Sequence, residues 1–267
     1  MPVIEVKDLS MPELSPYVSL TERQLMKEGD NGVFIAESPK VILSAIESGL
    51  SPISLLCERK HISGDAAGIV GLYPDIPIYT GDREVLSKLT GYTLTRGVLC
   101  AMQRPVSPST ESILKNSSRI CVIYDVCDTT NIGGIFRSAA ALGFDGVILS
   151  PESCDPLNRR AIRVSMGSVF KIPWCYEPHI LEKLRENGFK SVCMALTDNS
   201  IFLQDFKVQP SEKYAVFMGS EGWGLPSRII DVSDYVVKIP MHYGVDSLNV
   251  GAAAAITLWH FTQKPKG

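Results

Sequence analysis

Residues 217–226 read Phe-Met-Gly-Ser-Glu-Gly-Trp-Gly-Leu-Pro: three glycines, one acid and one tryptophan in ten positions. They follow an apolar run, Tyr214 to Met218, of the kind that forms a buried strand. Glycine costs backbone entropy, so the cluster implies something that needs bare backbone. A glycine loop between a parallel strand and a helix commonly cradles a ligand through main-chain groups. Two other segments hold chemistry-bearing residues. In 128–140, Asp-Thr-Thr-Asn-Ile-Gly-Gly-Ile-Phe-Arg-Ser-Ala-Ala, Arg137 interrupts an apolar helical pattern six residues after Asn131. In 239–255, Ser247, Leu248 and Asn249 stand just before a run of small residues, Gly251 to Ala255. Small side chains let another backbone approach closely, and Ser247 or Asn249 suits a helix N-cap. Taken singly, these features have ordinary explanations: a solvent-facing arginine, a cap, a tightly packed helix, and for Glu221 an acid at a helix N-terminus.

Known glycine loops can be tested against the spacing. A P-loop needs GxxxxGK followed by Ser or Thr, which the chain lacks. A dinucleotide fingerprint is GxGxxG, whereas Gly219, Gly222 and Gly224 are spaced GxxGxG, and no acid stands near Pro240 where one would be required. A methyltransferase of the Rossmann arrangement places its loop after the first strand; here 43 residues follow Gly224. The loop comes late, so the ligand site is built at the C-terminal end of the fold.

The elements that must position these residues follow from periodicity. After residue 118, 119–126, 146–150, 191–196, 214–218 and 235–240 read as strands; 131–144, 159–170 and 247–261 read as helices, the first burying Ile132, Ile135, Phe136 and Ala139. Continuous apolar strands between helices imply a parallel sheet covered on both faces. Before residue 105, short strands (53–58, 76–80, 97–103) alternate with helices at 39–48 and 82–91, the former with Ser38 as N-cap, Pro39 at its first position, Val41, Ile42, Ala45 and Ile46 on one face and Gly49 as its stop. Residues 106–118 are rich in Ser, Pro and Thr and read as a linker. The expected organisation is a small N-terminal α/β domain (1–105), a linker (106–118) and a larger α/β domain (119–267).

With 267 residues, 45 % hydrophobic and 21 % charged, the chain can bury a proper core. A net charge of −3 argues against coating nucleic acid non-specifically and leaves room for a local basic patch. Arg159, Arg160 and Arg163 are the one concentrated basic group, either a solvated helix face or phosphate contacts. Seven cysteines, an odd number without CxxC spacing, read as buried reduced thiols. Four scattered histidines give no metal-ligand spacing, so no metal is expected. The N-terminus lacks a basic start before an apolar stretch, and no run reaches bilayer length, so the expected setting is cytoplasmic, without a membrane.

Together the three segments resemble, in order and spacing, the three motifs of the SpoU/TrmH family of RNA ribose 2′-O-methyltransferases, within the SPOUT superfamily. Residues 162–174, Ile-Arg-Val-Ser-Met-Gly-Ser-Val-Phe-Lys-Ile-Pro-Trp, resemble the family's intermediate stretch. More loosely, 34–49 and 95–105 resemble the N-terminal substrate-binding domain of members that modify ribosomal RNA. Two departures stand out: Gly251 where many members have Ser, and Asp128-Thr-Thr-Asn131 in place of Asp-Pro-x-Asn.

The resemblance implies a C-terminal domain closed by a deep trefoil knot, a homodimer, and S-adenosylmethionine bound bent inside the knot. It implies Arg137 as the central catalytic residue, Asn131 orienting Arg137 or the ribose, Glu221 placing the RNA nucleotide, in one arrangement through Arg137, and Ser247 and Asn249 shaping the pocket around the reacting ribose. A guanidinium is a poor base at neutral pH, so Arg137 suits phosphate holding and alkoxide stabilisation better than proton abstraction. Gly219, Ile239 and Leu248 match adenosine-contacting positions, with Leu225 and Leu196 lining the pocket. Trp223 has no fixed counterpart: it stacks on an RNA base or lids the loop. The RNA is expected to be ribosomal, with transfer RNA, or an inactive RNA-binding protein, as the alternatives.

Overall fold

The computed structural model describes residues 2–18, 22–26, 32–90 and 97–262; Thr95 and Arg96 of the N-terminal resemblance, and Gly91, lie outside them. The chain divides into two units. The first comprises Met1–Val106 with Leu157–Phe170, and the second Ser107–Pro156 with Lys171–Gly267.

The first unit holds a five-stranded mixed sheet from β1 (Val3–Glu5), β2 (Val33–Glu37), β3 (Pro52–Glu58), β4 (Ile78–Gly81) and β5 (Val98–Gln103), in the order β1-β4-β3-β5-β2. The helix Pro39–Glu47 buries Val41, Ile42 and Ala45, and Gly49 follows it at φ +84. Ser38 occupies the cap position but makes no capping bond; its own φ is +84, and its N–H donates to Val98 O at 2.9 Å. The helix therefore starts on Pro39, with Ser38 tied to the first residue of β5.

Two expectations are corrected here. Residues 157–170, expected in the second domain, group with the first unit. The helix Arg159–Ser165 packs on β2, and the Phe170 ring stands 5.6 Å from that of Phe34. That helix stops at Ser165 because Met166 and Gly167 take left-handed φ of 52 and 80. The second correction concerns 106–118. It is not a free linker, because it contains the helix Thr110–Lys115, capped by Ser109 Oγ accepting from Ser112 N at 3.2 Å. Ile113 and Leu114 of this helix belong to the second unit's core, and Thr110 Oγ1 donates to Glu177 Oε2 at 2.7 Å.

The second unit is built on a seven-stranded, wholly parallel sheet. Its strands are β6 (Arg119–Ile123), β7 (Gly146–Leu149), β8 (Trp174–Tyr176), β9 (Phe189–Met194), β10 (Ile201–Phe202), β11 (Lys213–Met218) and β12 (Tyr235–Lys238), ordered β10-β12-β9-β11-β6-β7-β8. β8 and β10 escape the periodicity because they are three and two residues long. The central strands are buried on both faces, as their unbroken apolar sequences require. The Thr129–Ala141 helix buries Ile132, Ile135, Phe136 and Ala139, and Asp128 caps it by accepting from Thr130 N at 2.6 Å. All seven cysteines are free; five are buried, Cys127 is exposed and Cys154 half-buried.

One carboxylate fixes the pair of strands that matters most. Asp234 Oδ2, just ahead of β12, accepts from Ser191 N and Oγ of β9 at 2.8 and 2.7 Å, with Lys190 Nζ 3.5 Å from Oδ1. Partial burial pushes its pKa up, but the Ser191 and Lys190 contacts outweigh that and hold it below the usual carboxylate value. A depressed carboxylate stabilises above its unfolded pKa and loses that stabilisation as pH falls through the folded value. Asp234→Asn is therefore expected to cost about 1–2 kcal/mol at neutral pH. The deficit should shrink below about pH 4, the ordinary Asp range; urea unfolding at pH 7 and pH 3.5 measures it.

Candidate active site at the carboxyl ends of β9, β11 and β12

Three neighbouring strands end on one edge of the parallel sheet, where α/β folds place their ligands. Met194–Leu196 at the end of β9, Met218–Glu221 and Trp223–Leu225 at the end of β11, and Lys238, Ile239 and Met241 at the end of β12 enclose a cleft of about 360 Å³, closed by Asp246–Leu248, Val250 and Ala253. Gly219, Ile239 and Leu248, expected against adenosine, and Leu225 and Leu196, expected to line the pocket, all lie on it. Leu225 is buried and belongs to the core beneath, whereas Leu196 and Leu248 are exposed. The walls are mainly apolar side chains, interrupted by main chain of the glycine loop. That combination suits a nucleoside-sized ligand whose base needs an apolar slot.

The glycine loop is shaped by contact with itself. Gly224 N donates to Ser220 O at 2.9 Å, and Gly224 has φ +65. Gly219 sits against the returning chain, so that a Cβ there would lie 2.5 Å from Gly224 C and 2.6 Å from Leu225 N.

Beside the cleft runs a short chain of side-chain contacts. Asn249 Nδ2 donates to Asn131 Oδ1 at 2.9 Å and to Glu221 Oε1 at 3.3 Å. Asn249 Oδ1 accepts from Gly251 N at 3.0 Å and Ala252 N at 3.4 Å, so Asn249, not Ser247, caps the Val250–Thr262 helix. One amide thus begins a helix and joins all three sequence segments. Asn131 is 5 % exposed. The two helices meet where a Cβ on Gly134 would be 3.9 Å from Gly251 Cα, while one on Gly251 would be 3.1 Å from Asn249 Oδ1. Glycine at 251 leaves the capping amide undisturbed, which gives that departure from the family pattern a local reason.

Asn249→Asp separates the two roles of this side chain. An aspartate still accepts the helix N–H groups, so the fold should lose under about 1 kcal/mol. It can no longer donate to Asn131, and it faces the Glu221 carboxylate. Turnover should fall about tenfold to a hundredfold, on the scale of a lost hydrogen bond to a charged group, with the denaturation midpoint little changed.

Ser247 and Glu221 line the cleft. Arg137 is exposed and is not among its lining residues. Glu221 accepts from Asn249 Nδ2 and makes no hydrogen bond or ion pair with Arg137. Arg159, Arg160 and Arg163 belong to the first unit. Sequence reasoning missed Met194, Ser220, Lys238, Met241 and Asp246 on the cleft; their signal is position, at or within three residues of a strand end or in the loop before the last helix. Among the described residues no group of three side chains is placed to hold a metal ion, and no helix is long and apolar enough to cross a membrane.

Comparison with known proteins bears directly on this geometry. Residues 118–259 match the SpoU rRNA Methylase family. An uncharacterised tRNA/rRNA methyltransferase of Mycobacterium bovis is 33 % identical over 98 % of this chain and 92 % of its own length. The 23S rRNA (guanosine(2553)-2′-O)-methyltransferase of Bacillus subtilis is 27 % identical over 78 % of this chain and 88 % of its own. Among solved structures, the AdoMet-bound rRNA methyltransferase from Sinorhizobium meliloti superposes with a TM-score of 0.82 at 27 % identity, covering 97 % of each chain.

Proposed function

The chain belongs to the SpoU rRNA methylase family, and from that premise we propose that it methylates a ribose 2′-hydroxyl of RNA with S-adenosylmethionine, ribosomal RNA being the substrate class. The observation that supports this most is the hydrogen-bonded chain Asn131–Asn249–Glu221 beside a nucleoside-sized cleft at the carboxyl edge of the sheet. A base-binding slot and a set of polar groups for a second substrate stand side by side there.

S-adenosylmethionine supplies, when bound, a methyl group on a good leaving group, which leaves the hydroxyl as the difficult partner. Gly219, Ile239, Leu248, Leu225 and Leu196 hold the adenosine end, main chain and apolar walls together excluding water. Glu221 and Asn249 fix the position of the ribose, and Ser247 completes the rim. Such alignment supplies up to roughly 7–11 kcal/mol of a bimolecular barrier. Arg137 is the cation that holds the RNA phosphate and stabilises the developing alkoxide, with the proton passing to phosphate or solvent.

The family's knot and homodimer belong to the same proposal. Threaded backbone needs close approach, which Gly134 and Gly251 allow where their two helices meet. The Val250–Thr262 helix is apolar all round, yet Ile256 and Trp259 are 42 % and 55 % exposed on one face. A helix of that composition is ordinarily covered, and a second copy of the chain is the cover we infer. A ribosomal substrate makes the setting cytoplasmic.

Arg159, Arg160 and Arg163 serve as phosphate contacts in the first unit. Charge reversal at Arg159 and Arg160 together should weaken RNA binding and lower the slope of log K against log salt by about 1.5, close to 0.7–0.9 per contact. An unchanged slope removes these residues from the RNA surface.

The decisive experiment is transfer of radiolabelled methyl to separated ribosomal and transfer RNA, followed by mapping of the alkali-resistant linkage. Label on ribosomal RNA at a ribose is expected. Label on transfer RNA changes the substrate class, label on a base overturns the reaction, and binding of S-adenosylmethionine without transfer makes the protein an inactive binder.

A further inference from the structure

A second cleft, of about 510 Å³, opens beside the first and shares Ser220, Glu221, Trp223 and Gly224 with it. Asp125, Cys127 and Asp128 line it as well. Three observations define what it can take. Its lining contains carboxylates and neither lysine nor arginine, so a phosphate would meet like charge. No metal-holding group of three is present among the described residues. Trp223 is 95 % exposed at the wall common to both clefts. An indole left in water at a rim is a stacking platform awaiting a flat partner. A flat, neutral group rich in N–H donors meets all three conditions.

We propose that this cleft receives an unstacked nucleobase of the substrate RNA, stacked on Trp223 and hydrogen-bonded to Asp125, with guanine preferred. Asp125 is the carboxylate best fixed for the task. Its N–H donates to Ser150 Oγ at 2.8 Å, and Ser150 Oγ donates back to Asp125 Oδ1 at 2.7 Å, with Ser150 1 % exposed. Asp128 is committed to its helix and Glu221 to Asn249. Arg228, which feels the Asp125 charge, donates to Tyr124 Oη at 2.9 Å and does not line the cleft. A carboxylate pairs with two adjacent donors, and guanine alone offers them, at N1 and N2. Adenine and cytosine place an acceptor nitrogen beside their amino group, and uracil sets one N–H between two carbonyls. The inference rests on RNA being the substrate.

The test is calorimetric titration with guanosine, inosine, adenosine and uridine monophosphates. The protein is first saturated with S-adenosylhomocysteine, so that nucleotides are kept out of the methyl-donor cleft. Guanosine monophosphate should bind about tenfold more tightly than the others, the scale of one bidentate pair. Trp223→Ala should weaken all four by about tenfold. Asp125→Asn should erase the guanosine advantage alone; Asn tolerates the left-handed φ of 54 at this position, so the variant should fold. Equal affinity for guanosine and uridine monophosphates, or undiminished binding by Trp223→Ala, overturns the proposal. Absence of methyl transfer to any RNA with the nucleotide preference intact rejects the proposed function and leaves the base site standing. Methyl transfer without any nucleotide preference rejects the base site alone.

Discussion

Arg137→Ala should lower methyl transfer about 10²–10³-fold, the usual loss when one preorganised stabiliser of developing charge is removed, with S-adenosylmethionine affinity unchanged. The fold makes the experiment clean. Arg137 is exposed on the Thr129–Ala141 helix, whose other residues hold it in place: Ile132, Ile135, Phe136 and Ala139 are fully buried, and Gly134 approaches Gly251. Truncating an exposed side chain on such a helix alters stability by less than about 0.5 kcal/mol. Arg137 does not line the proposed cofactor cleft, so its truncation removes no wall of that cleft. Arg137→Lys keeps the charge and discards the planar fork, and recovery of part of the rate would show how much depends on charge alone. Cofactor titration and single-turnover transfer on the same preparations separate the outcomes. Loss of cofactor binding together with turnover would contradict the role assigned to this arginine.

The parallel sheet was legible because its strands are short, continuous apolar runs, and β6, β9 and β11 must be buried on both faces to look that way. The Thr129–Ala141 helix was legible for the complementary reason: its apolar positions recur at helical spacing and all four are buried. What escaped was decided by tertiary contact. Ile113 and Leu114 are two apolar residues in a polar stretch, and only the core they enter marks them as a helix. Residues 157–170 follow the same alternation as the segments around them, yet they pack on β2. No local pattern distinguishes a helix that covers its own sheet from one that covers another.

At the site, residue types and order singled out three segments, and the structure brings them into contact. Three separate stretches, each ambiguous alone, meet through the single amide of Asn249. Spacing could propose Ser247 or Asn249 as the cap, but the choice follows from which side chain accepts the Gly251 and Ala252 N–H groups. The pairing of Glu221 with Asn249 could not be read from a sequence in which the two are 28 positions apart. Residues such as Lys238 and Met241 flank the strand end, and a sequence carries no sign of which strands are neighbours in the sheet.

Gly219→Ala should weaken S-adenosylmethionine binding about tenfold to a hundredfold, and the cause would be steric. A Cβ at this position falls 2.5 Å from Gly224 C, 2.6 Å from Leu225 N and 2.7 Å from Gly224 O. All three are main-chain atoms, which have no flexible end to swing aside. The loop must open, which breaks the Gly224 N to Ser220 O bond and pulls Leu225, 4 % exposed, from its place in the core with Phe217 and Ile229. Overpacking of this kind costs about 1–3 kcal/mol, and the wall it displaces lines the proposed methyl-donor cleft. Gly222→Ala is the control within the same loop. A Cβ there meets nothing within 4 Å, so the variant should bind and unfold as the parent does. Gly224→Ala falls between, because its φ of +65 penalises any side chain by about 1–2 kcal/mol. Thermal unfolding without ligand reports the strain in each variant, and calorimetric titration reports the cofactor. A Gly219→Ala protein that binds S-adenosylmethionine like the parent would show that the loop is not a wall of the methyl-donor site. The graded order of Gly222, Gly224 and Gly219 would show that this loop's glycines answer to two separate needs, backbone rotation at 224 and close approach at 219.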